Sequence, residues 1–382
     1  MRNIPFGRPI LGPEERQAVA DVLDGPILVH GPRGKQFEAD FATWTGAPHA
    51  VSVSSCTAGL HLVWFDLGIG PGDEIIVPAQ THTATAHAVE LTGARPVFVD
   101  AEPATGNPDI DAIEAAITSR TRGISIVHYL GEPVDMPRLA AISQKHGLFL
   151  LEDCALAIGT SVDGVHAGLH GDAGAFSFYP VKHLTTAEGG MVITRDEGLA
   201  RRLERKRAFG VDRTPTERSV PGLYDVTMLG FNYRMNEIAA ALGIEQLKRI
   251  DDFLATRRRN FDVLSKALDG IEGLSVLPAS DGARRSSCYC LAAVLDSSLE
   301  QRRVDIVARL GEHGIGTSVY YPRPVPLFSY YADRYGHTSD EFPVAFRLSN
   351  CSIALPVGPH LDEDDMTYIA ETLRLTMEEA TA

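Results

Sequence analysis

The sequence predicts an α/β fold, a sheet with helices on both faces, and three observations carry that reading. Short apolar runs alternate with amphipathic segments from about residue 50 to residue 210. Small or polar residues follow several of the runs, at the strand ends where open α/β sheets bind ligands. The chain, at 382 residues, has the length for two domains and a large core.

Residues 1–12 read as extended, and Pro13 suits the first turn of a helix to about Leu23, ended by Gly25-Pro26. The glycine-rich HGPRGK leads into an amphipathic segment, Gln36–Thr45. Candidate strands are Ala50–Ser54, Glu74–Pro78, Pro96–Asp100, Gly123–Tyr129, Leu148–Asp153, Ala173–Tyr179 and Gly190–Thr194. Helical patterns fill most gaps, at Ala58–Leu67, Thr83–Thr92, Asp109–Ile117, Met136–His146 and Leu199–Phe209. Asn236–Leu268 reads as one long helical stretch with a charged middle. It leads to an α+β part with strands near Leu274–Leu277, Ser287–Leu295 and Cys351–Leu355, and helices near Leu299–His313 and Asp362–Leu373. The expected division is a large domain over 1–245, with an N-terminal arm, and a small domain over 246–382 that includes the end of the linking helix.

Composition narrows the partners. Apolar residues make up 44% and charged residues 22%, as in ordinary globular proteins, and the net charge is −15. That charge disfavours nucleic acid and anionic membranes, and leaves an anionic substrate needing a local basic pocket. The expectation is a cytoplasmic protein, since the start has no signal-like run and no later run reaches a membrane span. The five cysteines show no framework pattern, suiting a reducing compartment. Cys288 and Cys290 read as packing residues on one strand face, and no zinc-ligand spacing occurs.

The stretch GAFSFYPVKHLTTAEGGMVIT, from Gly174 to Thr194, reads as two strands around a polar turn that carries Lys182. Lysines occur at 35, 145, 182, 206, 248 and 266, and only Lys182 lies beside strand-like apolar sequence. Two readings fit it: a solvated loop lysine, or an amine whose surroundings lower its pKa for Schiff-base chemistry. Asp153 follows an apolar run and Glu152; it is either a salt-bridged strand end or a carboxylate that holds a pyridine nitrogen protonated. In SSCTAGLHL, Ser55 or Thr57 caps a helix, and the amides of Thr57 and Ala58 suit a phosphate. Ser177 is either a small packed residue or a second hydroxyl for that phosphate. Asn232 reads as a cap-like residue, and Arg234 as an anion contact or a surface charge.

These pieces together resemble the DegT/DnrJ/EryC1/StrS aminotransferases, enzymes of fold type I that depend on pyridoxal 5'-phosphate. The resemblance spans nearly the whole chain, through FEADFATWTGAPHAVSVSSCTAGLHL, GARPVFVDAEPATGNPD, VHYLGEPVDM, the FSF…K…T…EGG run, NYRM and SIALPVGPHL. It implies that Lys182 is the Schiff-base lysine and Asp153 the partner of the ring nitrogen. Thr57, Ala58 and Ser177 match phosphate-binding positions. His82 stands where an aromatic residue stacks on the ring. Asn232 matches the asparagine that reaches the neighbouring subunit's phosphate, which implies a homodimer with shared sites. Most characterised members aminate nucleotide-linked keto-sugars, with glutamate the expected donor.

Three residues depart from the family pattern. Leu156 replaces a glutamine that contacts the cofactor's phenolic oxygen, Glu132 a frequent glutamine, and His183 a common asparagine. They bear on substrate identity more than on reaction class. The alternatives are amination of a free cyclitol ketone, a sugar dehydratase, which the retained Lys182 disfavours, and a non-catalytic regulatory homologue, which Leu156 keeps open. Arg33, Arg234 and Arg323, with Tyr320, are candidate anion contacts.

Overall fold

The structure, a computed structural model, describes residues 2–212, 220 and 223–381. Helices α1 (Pro13–Leu23) and α2 (Pro32–Thr45) precede the first strand, and both open on proline, whose fixed φ suits a first turn. Strands and helices then alternate: β1 (His49–Val53), α3 (Cys56–Asp66), β2 (Glu74–Pro78), α4 (Thr83–Glu90), β3 (Arg95–Val99), α5 (Ile110–Ala115), β4 (Thr121–Val127), α6 (Met136–His146) and β5 (Phe149–Asp153). A small hairpin, β6 (Ser161–Val162) with β7 (Val165–His166), leads to β8 (Ala173–Ser177), β9 (Gly190–Thr194) and α7 (Glu197–Lys206). The C-terminal part comprises α8 (Glu237–Leu247), α9 (Ile250–Leu268), β10 (Leu274–Val276), β11 (Arg284–Arg285), β12 (Leu291–Leu295), α10 (Arg303–Glu312), α11 (Ser329–Tyr335), α12 (Pro343–Cys351), β13 (Ser352–Leu355) and α13 (Glu363–Thr381).

Seven strands form one sheet in the order β1-β9-β8-β5-β4-β2-β3. It is parallel from β8 to β3, while β9 runs antiparallel to both of its neighbours. Alternate side chains feed different cores. On one face Ile75, Val77 and Ala175 pack with Trp64 of α3 and Leu203 of α7. On the other, Ile76 packs with Leu139 of α6, and Phe176 with Phe37 and Phe41 of α2. A three-stranded antiparallel sheet, β10-β12-β13, carries a separate core with α9, α10 and α13.

The predicted strands of the large sheet are all present, with ends moved by a residue or two. Elsewhere the structure differs. HGPRGK is not all loop: Pro32–Lys35 are the first turn of α2, closed by Glu237 accepting from the Arg33 and Gly34 amides at 2.8 and 3.1 Å. The expected helix Asn236–Leu268 is two, broken at Lys248-Arg249. The break turns Arg249 onto the buried Glu15 and the Ile10 carbonyl, a tertiary contact that outweighs local helix preference. The expected strand Ser287–Leu295 begins only at Leu291, because Cys288 takes a positive φ of 50° that interrupts extended backbone. Cys288 and Cys290 therefore lie in an irregular lead-in, both buried. Among the described residues no helix is long and apolar enough to cross a membrane.

Adjacent carboxylates on β5 point to opposite faces. Glu152 is fully buried and accepts from the Gly168, His170 and Gly171 amides at 2.7, 2.9 and 2.6 Å. It also meets His128 Nε2 at 2.9 Å, while His128 Nδ1 accepts from the Val134 amide, so Nε2 carries the hydrogen. Cys154 completes a cluster of potential metal ligands, but the carboxylate and both ring nitrogens are already engaged within the chain. Burial opposes the charged form of Glu152, yet the His128 bond and the glycine amides outweigh it and hold the carboxyl below its ordinary value. A folded value depressed in this way gives stability that is present above the unfolded value, about 4.3, and lost as pH falls through the folded one. Glu152→Ala strands three amides and an imidazole N–H. It is expected to cost about 3–5 kcal/mol at neutral pH, and proportionally less in acid, measured by denaturant unfolding at several pH values.

Candidate active site

Register gathers the candidate residues at one end of the sheet. Val53 pairs with Gly190, and Gly190 with Ser177, so the ends of β1 and β8 flank the start of β9. Asp153, the last residue of β5, pairs with Ala175 on the parallel neighbour β8, two residues before β8 ends at Ser177. The start of α3, the end of β8 and Asp153 therefore share the carboxyl edge of the sheet.

Helix α3 is capped by Ser55, whose hydroxyl accepts from the Ala58 amide at 3.0 Å. The cap is Ser55 and not Thr57, and the helix N-terminus lies at this edge with the partial positive charge that suits an anion. Gly190 lies flat beneath this turn. A Cβ there would stand 2.5 Å from the Ser55 carbonyl carbon and 2.7 Å from the Cys56 nitrogen. Gly190→Ala is expected to destabilise the fold by about 1–3 kcal/mol and to weaken phosphate affinity more than a core substitution of equal cost, read by thermal melts and inorganic phosphate titration.

Asp153 is buried and heavily bonded. Oδ1 accepts from the Ala155 amide at 3.0 Å and faces Cys56 Sγ at 3.7 Å. Oδ2 accepts from Thr85 Oγ1 at 2.7 Å, and Thr85 in turn accepts from Thr81 at 2.7 Å. The carboxylate is thus aimed from the strand end by α4, and among the described residues no arginine or lysine forms a salt bridge with it. Thr85 was not legible as a site residue, because its role depends on how α4 is seated.

Past Ser177 the chain turns at Tyr179, whose carbonyl accepts from the Lys182 amide at 2.9 Å. The loop is pinned by Thr186 N to the Phe178 carbonyl at 2.9 Å and Phe178 N to the Gly189 carbonyl at 3.0 Å. Burial draws the Lys182 amine down from the ordinary lysine value to about 8, while the Asp153 carboxylate pulls the other way. Lys182 is half-buried, its amine 5.1 Å from the centre of the Tyr289 ring, which fits the second reading better than a solvated loop lysine. His82 caps α4, its Nδ1 accepting from the Ala84 amide at 3.1 Å, and its ring stands edge-on to Tyr321. Burial lowers its proton affinity, with Asp153 opposing. Asn232 is exposed and bridged to Ala208; the cap of α8 is Asn236, whose Oδ1 accepts from Ala239 at 2.8 Å.

The three departures from the family pattern converge on one segment. Ser287 donates its hydroxyl to the Leu156 carbonyl at 2.6 Å, and its own carbonyl meets His183 Nε2 at 3.2 Å. Glu132 accepts from the Ser280 amide at 2.8 Å and from its hydroxyl. Leu156 packs among Tyr129, Tyr289 and Tyr321. His183 is buried against Ser287 and Tyr289. Arg33 sits in the first turn of α2, Arg234 lies over the Phe209 ring at 4.9 Å, and Arg323 is exposed.

A half-buried lysine of lowered proton affinity, a hydrogen-bonded carboxylate and a helix N-terminus at one sheet edge fit pyridoxal phosphate, and together with the fold they define a fold-type-I enzyme dependent on it. Residues 9–374 match the DegT/DnrJ/EryC1/StrS aminotransferase family, and the chain belongs to that family. It is 38% identical over 375 residues to the spore coat polysaccharide biosynthesis protein SpsC of Bacillus subtilis, covering 97% of this chain and 96% of that protein. The aminotransferase TlmJ from Streptoalloteichus hindustanus superposes with a TM-score of 0.91 at 34% identity, over 99% of this chain and 100% of that one. Spr1654 from Streptococcus pneumoniae in its PMP form gives a TM-score of 0.94 at 28% identity, over the same shares. The protein is a pyridoxal-phosphate-dependent aminotransferase of a sugar-aminating family.

Proposed function

We propose that the protein moves an amino group from L-glutamate to a keto group of a nucleotide-linked deoxysugar. The observation that carries this reading is the desolvated Lys182 amine beside the bonded Asp153 carboxylate. Bound pyridoxal phosphate supplies an electron-withdrawing ring and a carbon at which amines exchange. With the cofactor bound, Lys182 Nζ would be the base that removes the donor's α-proton and, in the second half, the acid that delivers a proton to the carbon that had been the ketone. Asp153 keeps a proton on the ring nitrogen. Thr57, Ala58 and Ser177 hold the phosphate, with Ala58 sharing its amide with Ser55, and His82 offers the ring a stacking surface. In a chain of net charge −15, Arg33, Arg234 and Arg323 are the cations that suit a sugar-linked diphosphate.

The active unit in this reading is a homodimer in which Asn232 serves the neighbouring subunit's phosphate. Exposed apolar side chains support it: Leu23 at the end of α1, Ile27 and Leu28 after it, and Leu223, Val226 and Leu229 before Asn232. Mixing inactive Lys182→Ala and Asn232→Ala proteins then restores about a quarter of wild-type activity, from heterodimers with one intact site; no recovery after subunit exchange argues against shared sites. The five free, buried cysteines suit a reducing cytoplasm. The substrate assignment is tested by offering glutamate with a panel of nucleotide-linked keto-sugars and free cyclitol ketones. Amine formation on cyclitols alone overturns it.

A further inference from the structure

The Lys182 amine is bounded from two directions. From the large sheet it faces Asp153 at the end of β5 and Cys56 at the start of α3. From the lead-in to β12 it faces Cys290 and the ring of Tyr289, whose centroid lies 5.1 Å from Nζ. His82 and His183 complete the titratable surroundings. Burial raises both thiols and the Tyr289 phenol and lowers both imidazoles, so Asp153 is the charged neighbour that matters.

Tyr289 is held at every polar atom. Its hydroxyl pairs with that of Tyr320 at 2.8 Å, and the two rings meet edge to face. Its amide donates to the Leu130 carbonyl at 3.3 Å. Its carbonyl accepts from Arg257 Nη1 at 2.8 Å, and the Arg257 guanidinium is itself buried, 5.9 Å from the same ring. The ring is thus anchored through its hydroxyl and through both backbone polar groups of its residue.

We propose that Tyr289 is a positioning residue for Lys182, its anchored ring face fixing where the amine sits between Asp153 and the β12 lead-in. The proposal rests on Lys182 being the reactive amine. A ring face attracts an ammonium group, and more strongly where water is excluded. Tyr289 thus works against the desolvation of the site. It keeps the amine from losing its proton too readily, and so tunes a group that must both accept and release a proton. Sequence reading overlooked it because it lies between two cysteines in an irregular segment with no strand or helix period.

The test is competitive acetylation of the full-length, cofactor-free protein with trace acetic anhydride across pH, the Lys182 peptide being quantified by mass spectrometry. Wild type should label with a midpoint near 8. Tyr289→Phe keeps the ring and should match wild type. Tyr289→Leu keeps apolar bulk without the ring, and its midpoint should fall by roughly half a unit. Tyr289→Met replaces the Leu variant if that protein does not melt cooperatively. An unchanged midpoint in the Leu or Met protein overturns the proposal, as does a Phe variant that shifts equally far, which assigns the effect to the hydroxyl. Borohydride reduction of the loaded wild-type protein separates the two readings. Fixation at Lys182 with invariant midpoints removes the role of Tyr289 alone, and fixation elsewhere removes the role of Lys182.

Discussion

Lys182→Ala ends amino transfer: kcat is expected to fall by at least about a thousandfold, while pyridoxamine phosphate still binds. The size of the loss follows from the surroundings. Lys35, Lys145, Lys206 and Lys248 are each ion-paired to a carboxylate, so none is poised to replace the amine. The nearest imidazoles, His183 and His82, are poorer replacements, since burial lowers the proton affinity of both. Single-turnover assays with pyridoxamine phosphate supplied in solution measure the loss, and a variant that retains most of its turnover refutes the assignment. The substitution removes a methylene stem from a half-buried turn whose backbone bonds remain, so the melting temperature should change little.

Asp153→Asn is the second large effect, expected to lower kcat by roughly a hundredfold to a thousandfold. The fold should tolerate it. The amide oxygen can still accept from Ala155, and the new NH2 can donate to Thr85, which then turns its own hydrogen toward Thr81. What is lost is the negative charge that holds a proton on the ring nitrogen, and with it the ring's capacity to accept electron density. Stability and affinity near wild type with collapsed kcat is the expected pattern. Unchanged kcat would show that the charge is not used.

Much of this was legible in the sequence because it rests on residue types at strand ends. A lysine beside apolar strands and an acid after an apolar run are conspicuous, and the register of the sheet brings them to one edge. What was not legible depends on contacts between distant segments. Lys248-Arg249 favours helix locally, and only the pull of Arg249 on Glu15 breaks the run into α8 and α9. The place of Tyr289 is set by Arg257 and Tyr320, each some thirty residues away in sequence. Thr85 reaches Asp153 only because α4 is seated with that face inward. His183, Leu156 and Glu132 read as three separate departures, yet all touch the segment from Ser280 to Tyr289.

The back-to-back carboxylates of β5 impose a demand on alignment. Glu152 is locked by four donors on one side of the sheet, and Asp153 answers Thr85 and Ala155 on the other. Because side chains alternate, sliding this strand by a single residue would exchange the two acids. The cage of glycine amides would receive the wrong group, and the pocket edge would lose its charge. The strand therefore works as an indexed key. Insertion or deletion of one residue within Phe149–Asp153 should be far more damaging than in the loops on either side, since stability and chemistry are read from the same two consecutive positions.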